Sequence, residues 1–205
     1  MSKPPIDFYF DVFSPFAYLA ATRIDALAAR HGRTTDWKPV LVGVTVVKVM
    51  GMKPLPEYPL KGPYLAHDAQ RLAKLWNAPL RMHGLRGHTS FKAMRAYVWL
   101  KARDPQLAKR FAMAMFEKLW TRGEDFTLPQ SWEAEARALD IDLDELTHAI
   151  GLEETKQALH RDVESAVAAG VFGVPFVIAD GEPFFGCDHF WMLETWLAKG
   201  AWTPD

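Results

Sequence analysis

The chain has 205 residues, of which 49% are hydrophobic and 13% aromatic. This apolar content can bury a real core, which excludes an intrinsically disordered chain. Its 24 lysine and arginine residues nearly balance its 25 aspartate and glutamate residues, so the net charge is −1. Such a balance offers no basic surface for nucleic acid or for an anionic membrane. The single cysteine, Cys187, excludes an intramolecular disulfide and a CxxC redox centre.

The N-terminal segment Met1–Pro5 leads directly into a pattern typical of folded structure. No apolar stretch follows a basic region there, as a secretory signal would require. No run in the sequence approaches the roughly 18 apolar residues of a membrane span. We therefore expect a cytoplasmic protein with no membrane partner.

The first forty or so residues have the pattern of a strand, a helix and a second strand. Alternation over Ile6–Asp11 predicts the first strand. Ser14-Pro15 opens a helix, because serine is a good N-cap and proline at the first helical position has no hydrogen bond to lose. His31-Gly32 ends the helix, and Thr34–Val42 predicts the second strand. A strand–helix–strand unit implies a parallel pair.

Helical periodicity dominates the middle of the chain. Glycine and proline residues between Gly43 and Pro63 indicate an irregular connection first. Periodic apolar positions then predict a series of helices at Tyr64–Trp76, Ser90–Lys101, Gln106–Trp120, Gln130–Leu139, Asp142–Ile150 and Glu153–Ala169. The chain closes with two strands and a helix, at Pro175–Ile178, Pro183–Phe185 and Asp188–Leu197.

This order of elements predicts an α/β protein with a thioredoxin-like fold and a large all-helical insertion. We expect residues 1–45 and 152–205 to form a discontinuous thioredoxin-like domain. Residues 46–151 would then form the helical insertion domain.

Ser14 lies where the first strand turns into the first helix. Unpaired backbone N–H groups and the positive end of the helix dipole meet at such a position and favour an anion. A serine there could also act only as a helix cap, which is a common role. For Asp11 we expect a structural role near the turn rather than acid–base chemistry. In Gly173–Phe176, Val174-Pro175 lies between a helix and a strand, where thioredoxin-like proteins carry a cis proline beside the active site.

The chain resembles the 2-hydroxychromene-2-carboxylate isomerases, of the DsbA-like, kappa-class glutathione transferase group. The resemblance extends over nearly the whole chain and depends on two specific terminal motifs with a weaker match between them. The matching residues are Asp7–Asp11, Ser14–Ala20, Gly170–Pro175 and Phe184–Asp188, with Asp68, Gln70, Arg71 and Ala73 between.

The resemblance implies that Ser14 and Ala17 stand where a redox relative has its two cysteines, so that glutathione supplies the thiol. Ser14, next to Pro15, would then stabilise the glutathione thiolate at the helix N-terminus. The backbone of Val174, before Pro175, would pair with the cysteinyl part of glutathione.

The γ-glutamyl end of glutathione would lie at Gly186, Cys187 and Asp188, and Lys61 would be a further residue that binds glutathione. There the backbone N–H groups and the Asp188 carboxylate can meet a carboxylate and an ammonium group. In this interpretation Cys187 contributes its backbone and is not a catalytic thiol.

The implied reaction is a glutathione-dependent isomerisation of an aromatic carboxylate, in which the thiolate adds reversibly to a double bond. Lys48 would contact the substrate carboxylate. The polar Asn-Arg pair of the family is replaced by the Pro- and Leu-rich segment Pro54–Pro59, which suggests a different or more apolar acceptor. The resemblance also implies a homodimer.

Other functions remain open at this point. The chain could be a kappa-class-like transferase that conjugates electrophiles, or a glutathione-binding module without catalysis. A disulfide oxidoreductase is the weakest alternative. The histidines, among them His67, His83 and His88, show no HExxH or paired metal-ligand spacing, so we expect no metal site.

Overall fold

The computed structural model of the chain describes residues 3–54, 57–82 and 89–202. Within these ranges the strands form one sheet with the order β2-β1-β3-β4. The first strand, β1, pairs in parallel with β2 and antiparallel with β3, which pairs antiparallel with β4. The strand bounds are Ile6–Phe10 for β1, Thr35–Pro39 for β2, Phe176–Ala179 for β3 and Glu182–Phe185 for β4.

Most of the helices lie between β2 and β3 in the chain. The α-helices, α1 to α8, span Pro15–Arg30, Lys61–Leu75, Phe91–Lys101, Pro105–Glu117, Glu133–Ala138, Leu143–Ala149, Glu153–Ala168 and Phe190–Lys199. Short segments of the described residues have other helical geometries. Gly43–Val49 and Lys118–Arg122 are π-helical, and Pro129–Trp132 and Cys187–His189 are 3₁₀ turns.

The central strand β1 is buried on both faces of the sheet. Phe8 and Phe10 point into the main core, whereas Tyr9 packs on the other face with Phe176 and with Ala166 of α7. A strand covered on both faces needs apolar residues at successive positions, which explains the aromatic run in β1. The turn after β1 is thereby anchored in the interior of the protein.

The main core joins the sheet to the helical block. The ring of Phe10 contacts Trp37 of β2 at a centroid distance of 5.4 Å and Tyr97 of α3 at 4.9 Å. Phe116 of α4 packs 5.9 Å from the same ring. The two predicted domains therefore share one hydrophobic core, and their division at residues 45 and 152 stays a prediction.

The predicted fold is confirmed, but several predicted boundaries are wrong. β2 ends at Pro39 rather than Val42, because the Val42 N–H turns away to the carboxylate of Asp11. Residues 43–49 are π-helical rather than irregular. The helix predicted to end at Trp120 becomes π-helical at Lys118, and the last α-helix begins at Phe190 after a 3₁₀ turn.

No helix of the described ranges is long and apolar enough to cross a membrane.

Candidate active site

Ser14 is the N-cap of α1. Its Oγ accepts a hydrogen bond of 3.2 Å from the backbone N–H of Ala17, and Pro15 occupies the first helical position. The capping role predicted as one alternative is therefore confirmed. A hydroxyl carries one hydrogen and two lone pairs, so Ser14 can still donate to an anion while it caps the helix. The side chain is half-buried, which leaves it accessible from the surface.

The peptide bond between Val174 and Pro175 is cis, as the resemblance implies. Strand β3 begins at the next residue, Phe176, whose register partner in β1 is Tyr9. Because β1 and β3 are antiparallel, the start of β3 lies at the same end of the sheet as the turn that leads to Ser14. The fold thus brings two segments about 160 residues apart to one edge.

Gly186 connects this edge to the last helix. Its N–H donates to the carbonyl oxygen of Pro175 at 3.0 Å. Its φ of +91° lies in a region that side chains rarely adopt, and an added Cβ would overlap a carboxylate oxygen of Asp188. The Gly186 N–H is therefore already paired within the chain, and only the following N–H groups can serve an anion as predicted.

Cys187 is fully buried. Burial raises the pKa of its thiol to about 12, and the nearby carboxylates of Asp188 and Asp68 act in the same direction. The N–H groups of Cys187 and Asp188 contact the sulfur and oppose this shift. A thiol in this state stays protonated at neutral pH and is a poor nucleophile.

Asp68 has no chemical role that its sequence pattern predicts. It lies in α2, where it forms an ion pair of 2.7 Å with Arg71, and its charge acts on Cys187. The Asp188 carboxylate is exposed. Two carboxylates thus lie near the start of the last helix, and only the folded arrangement of α2 shows this.

Asp11 is buried directly before the Ser14 turn. Its Oδ1 accepts from the N–H of Phe13 at 3.0 Å, and its Oδ2 accepts from the N–H of Val42 at 2.9 Å. Ser90 at the start of α3 forms a third hydrogen bond with this carboxylate. Burial raises the pKa of Asp11, while the three hydrogen bonds oppose that shift. The contacts agree with the structural role expected for this residue.

The two predicted lysines are both exposed on the surface. Lys48 is exposed on the π-helical segment 43–49, and Lys61 is exposed at the first position of α2, with its Nζ 5.8 Å from the ring of Tyr58. Within the described ranges, neither lysine has a hydrogen bond or ion pair to Ser14, Val174 or Gly186. In the Pro- and Leu-rich segment 54–59, residues 55 and 56 lie outside the residues that the structure describes.

A cavity of about 410 Å³ lies between the segment 43–49 and α7. Its lining is mostly apolar, with Leu41, Val44, Val49, Val163, Val167 and Ala168. His160 and Glu164 complete the lining and form an ion pair of 3.1 Å when His160 is protonated. No sequence pattern predicts this cavity, because its two walls are more than a hundred residues apart in the chain.

The part of the chain that the structure describes contains no group of three histidine, cysteine, aspartate or glutamate residues able to hold a metal ion. His83 and His88 lie outside that part.

Comparison with known proteins agrees with this geometry. A 2-hydroxychromene-2-carboxylate isomerase structure superimposes with a TM-score of 0.84 and 25% sequence identity, over 95% of this chain and 94% of that one. The chain is 28% identical to glutathione S-transferase kappa 1 of Caenorhabditis elegans, over 98% of this chain and 94% of the relative.

It is also 26% identical to a 2-hydroxychromene-2-carboxylate isomerase of Sphingobium xenophagum, over 94% of this chain and 97% of the relative. The sequence profile of the DSBA-like thioredoxin domain matches residues 5–198. The chain therefore belongs to the family of DSBA-like thioredoxin domains.

Proposed function

We propose that the chain is a glutathione-dependent isomerase of 2-hydroxychromene-2-carboxylate-type aromatic compounds. One observation carries this proposal: Ser14 caps α1 at the same end of the sheet as the cis Val174–Pro175 bond, while the one cysteine is buried. A DSBA-like site that lacks its own thiol needs an external one. Relatives named for glutathione transfer and for isomerisation support glutathione as that source.

The residues around Ser14 fit a bound thiolate. The Ser14 hydroxyl, which accepts from Ala17, keeps its own hydrogen for the sulfur. The N-terminal end of the 16-residue helix α1 adds a positive partial charge. Val174 precedes β3 at the same edge, where its backbone would pair with the cysteinyl part of the tripeptide.

The γ-glutamyl group fits the start of the last helix. Asp188 and Asp68 would bind its ammonium group, because both carboxylates lie near Cys187. The N–H groups of Cys187 and Asp188 contact the Cys187 thiol, which is a weak hydrogen-bond acceptor. The carboxylate of the γ-glutamyl group would be a stronger acceptor for the same N–H groups. Lys61 begins the helix that carries Asp68 and would reach the remaining carboxylate of the tripeptide.

Glutathione would supply a thiolate that adds reversibly to the substrate double bond once the C–O bond of the cyclic hemiketal has broken. The former double bond is then a single bond that can rotate, and elimination restores the double bond and releases the thiolate. Ser14 stabilises the negative charge on that sulfur and does not itself attack the substrate. The turn at Ser14 and the backbone at Val174 hold the reacting groups in line.

The order of the strands lets both proposed binding regions border Ser14. The proposed glutathione contacts lie at β3 and β4, on one side of β1. On the other side β2, which is parallel to β1, leads into the segment 43–49 at the same end of the sheet as the Ser14 turn. We assign the aromatic acceptor to the apolar cavity between that segment and α7. Lys48, on the same segment, would bind the carboxylate of the acceptor.

A transferase that conjugates electrophiles is the second candidate. The apolar lining of the cavity favours it, because six of the eight lining residues offer no hydrogen bond to a carboxylate. The kappa-class relative supports it as well. Both candidates use the same thiolate and differ only in the release of the product.

The decisive experiment incubates the protein with 2-hydroxychromene-2-carboxylate and glutathione and measures both compounds over time. An isomerase converts the substrate and leaves the free thiol concentration constant, whereas a transferase consumes one thiol for each product. Glutathione binding without turnover on any electrophile would identify a non-catalytic binding module. Insulin reduction above the background rate would identify a disulfide oxidoreductase instead.

The proposed setting of this reaction is the cytoplasm, where glutathione is kept reduced. A homodimer is part of the same proposal, and light scattering after gel filtration would measure the mass of the assembly.

A further inference from the structure

Asp11 connects three elements of the fold at one buried carboxylate. Its two oxygens receive the N–H groups of Phe13 in the turn and of Val42 after β2, at 3.0 and 2.9 Å. Ser90 at the start of α3 adds a hydroxyl contact. The backbone oxygen of Asp11 also accepts from the N–H of Ser14 at 3.0 Å. The residue therefore determines where the turn places Ser14.

The same turn has a second buried anchor. The indole Nε1 of Trp120 donates to the carbonyl oxygen of Val12 at 2.9 Å, and both residues are buried. Trp120 lies in the π-helical segment after α4, and Ser90 begins α3, so the helical block holds the turn from two sides. The position of the Ser14 hydroxyl thus depends on residues outside β1 and α1, the two elements that the turn connects.

We propose that Asp11 is a positioning residue for catalysis: it holds the Ser14 hydroxyl in line with the glutathione sulfur. Its bond to Val42 connects this position to the segment 43–49 that forms one wall of the cavity. The inference rests on the proposed function, because it assumes that the Ser14 hydroxyl contacts the sulfur.

A carboxylate suits this task better than an amide. Each oxygen of Asp11 accepts a different backbone N–H, whereas an asparagine has one acceptor and would direct its NH₂ at the other donor. Asp11→Asn therefore loses one of the two anchors at nearly constant size. The contacts described for the carboxylate are with neutral donors, so no charged partner is left unpaired by this change.

The test is a double-mutant cycle of Asp11→Asn and Ser14→Ala, with kcat and KM measured for the three variants and the parent protein. We expect Asp11→Asn to lower kcat about tenfold or more, with KM for glutathione changed less than about threefold. In the Ser14→Ala background the same change should have little further effect. An unchanged kcat, or effects that multiply, would overturn the proposal.

Further measurements distinguish an effect of Asp11→Asn on the position of Ser14 from an effect on folding. If Asp11 acts through Ser14, Asp11→Asn also moves the pKa of the bound glutathione thiol toward its free value, followed by the ultraviolet absorbance of the thiolate. Asp7→Asn is the matched control, since Asp7 lies in β1, four residues before Asp11 in the chain, but pairs with Lys38 at 2.7 Å. It should leave kcat and the thiol pKa unchanged, and the same loss of kcat in this control would also overturn the proposal.

Ser90→Ala covers the case in which Asp11→Asn does not fold. It removes only the hydroxyl contact, and we expect a smaller loss of kcat that again disappears in the Ser14→Ala background. Full activity of Ser90→Ala beside an unfolded Asp11→Asn would contradict the proposal. Full activity of Ser14→Ala alone would instead show that the proposed function of Ser14 is wrong, and with it this inference.

Discussion

The carbonyl oxygen of Pro175 and the N–H of Gly186 form a hydrogen bond of 3.0 Å that joins the cis-proline segment to the start of the last helix. Through this bond, the backbone expected to pair with the cysteinyl part of glutathione is held at a fixed distance from Asp188. The tripeptide would extend across both segments, so a change at Gly186 should alter glutathione binding as well as the stability of the fold.

Gly186→Ala tests this relationship. The φ of +91° and the overlap of a Cβ with the Asp188 carboxylate should together lower the free energy of unfolding by about 3 kcal/mol. Glutathione affinity should fall as well, which calorimetry would measure. Gly181→Ala is the control, because Gly181 has a φ of +86° but no atom within 4 Å of an added Cβ. Equal loss of glutathione affinity in both variants would contradict the assignment of Gly186.

Ser14→Ala should lower kcat more than about a hundredfold, or roughly 3 kcal/mol, which is the effect of removing one donor to a developing anion. It also removes the cap of α1, which costs about 1 kcal/mol of stability. Asp104→Ala provides a matched control for the cap. Asp104 precedes Pro105 and caps α4 by accepting from two backbone N–H groups, whereas Ser14 caps α1 by accepting from one. The Asp104→Ala variant should lose stability and keep the kcat of the parent protein. A loss of kcat in Asp104→Ala comparable to that in Ser14→Ala would refute the specific role of Ser14.

Local signals in the sequence predicted the elements that surround Ser14. The pair Ser14-Pro15 marks a helix start by its own chemistry, and the aromatic alternation of β1 marks a buried strand. The cis state of Val174–Pro175 followed from the resemblance, since one valine–proline pair does not distinguish cis from trans.

Long-range contacts could not be predicted in the same way. The end of β2 at Pro39 depends on Asp11 taking the N–H of Val42, a contact across 31 positions. The nearness of Asp68 to Cys187 depends on how α2 packs, and no periodicity encodes it. The cavity is formed by residues 41–49 and by α7. Each of these segments has an apolar pattern typical of a buried element, and neither pattern alone predicts a cavity.

Cys187 should be chemically silent in the folded protein. Because burial raises the pKa of its thiol to about 12, we expect no reaction with a thiol reagent at neutral pH until the chain is unfolded. Cys187→Ala should keep more than about half of the activity, since the proposed reaction uses the thiol of glutathione. Rapid labelling of the native protein together with loss of turnover in Cys187→Ala would show that the internal thiol takes part.

Filling the cavity tests the assignment of the acceptor site. Val49 lines the cavity and is 57% exposed, so phenylalanine at this position would occupy space that the acceptor needs. Val49→Phe should raise KM for the aromatic acceptor about tenfold and leave KM for glutathione unchanged. Val47→Phe is the control, because Val47 lies on the same segment, is 39% exposed and does not line the cavity. An acceptor KM that is the same in both variants would place the acceptor elsewhere.

Asp180 and Arg33 should make the stability of the fold depend on pH. The Arg33 side chain is buried, hydrogen-bonds the carbonyl oxygen of Pro4, and contacts both Asp180 oxygens at 2.9 and 3.0 Å. Its hydrogen bonds and charge lower the pKa of Asp180 below the ordinary 3.8. A carboxyl group with a lowered pKa in the folded state stabilises the fold above its unfolded pKa, and this contribution is lost as the pH falls through the folded value.

Asp180→Asn should therefore lower the free energy of unfolding by about 1–2 kcal/mol at neutral pH, because solvent around the 41% exposed Asp180 side chain screens its hydrogen bonds to the charged Arg33. Asparagine tolerates the φ of +54° at this position, so the change removes charge without adding strain. Urea unfolding at neutral pH and below pH 3.8 would measure the effect, and the difference from the parent protein should shrink at the lower pH. Glu194→Gln, which breaks the exposed pair with Arg30, should change stability by less than about 1 kcal/mol. A loss in Asp180→Asn that does not depend on pH would show that the ion pair is not its cause.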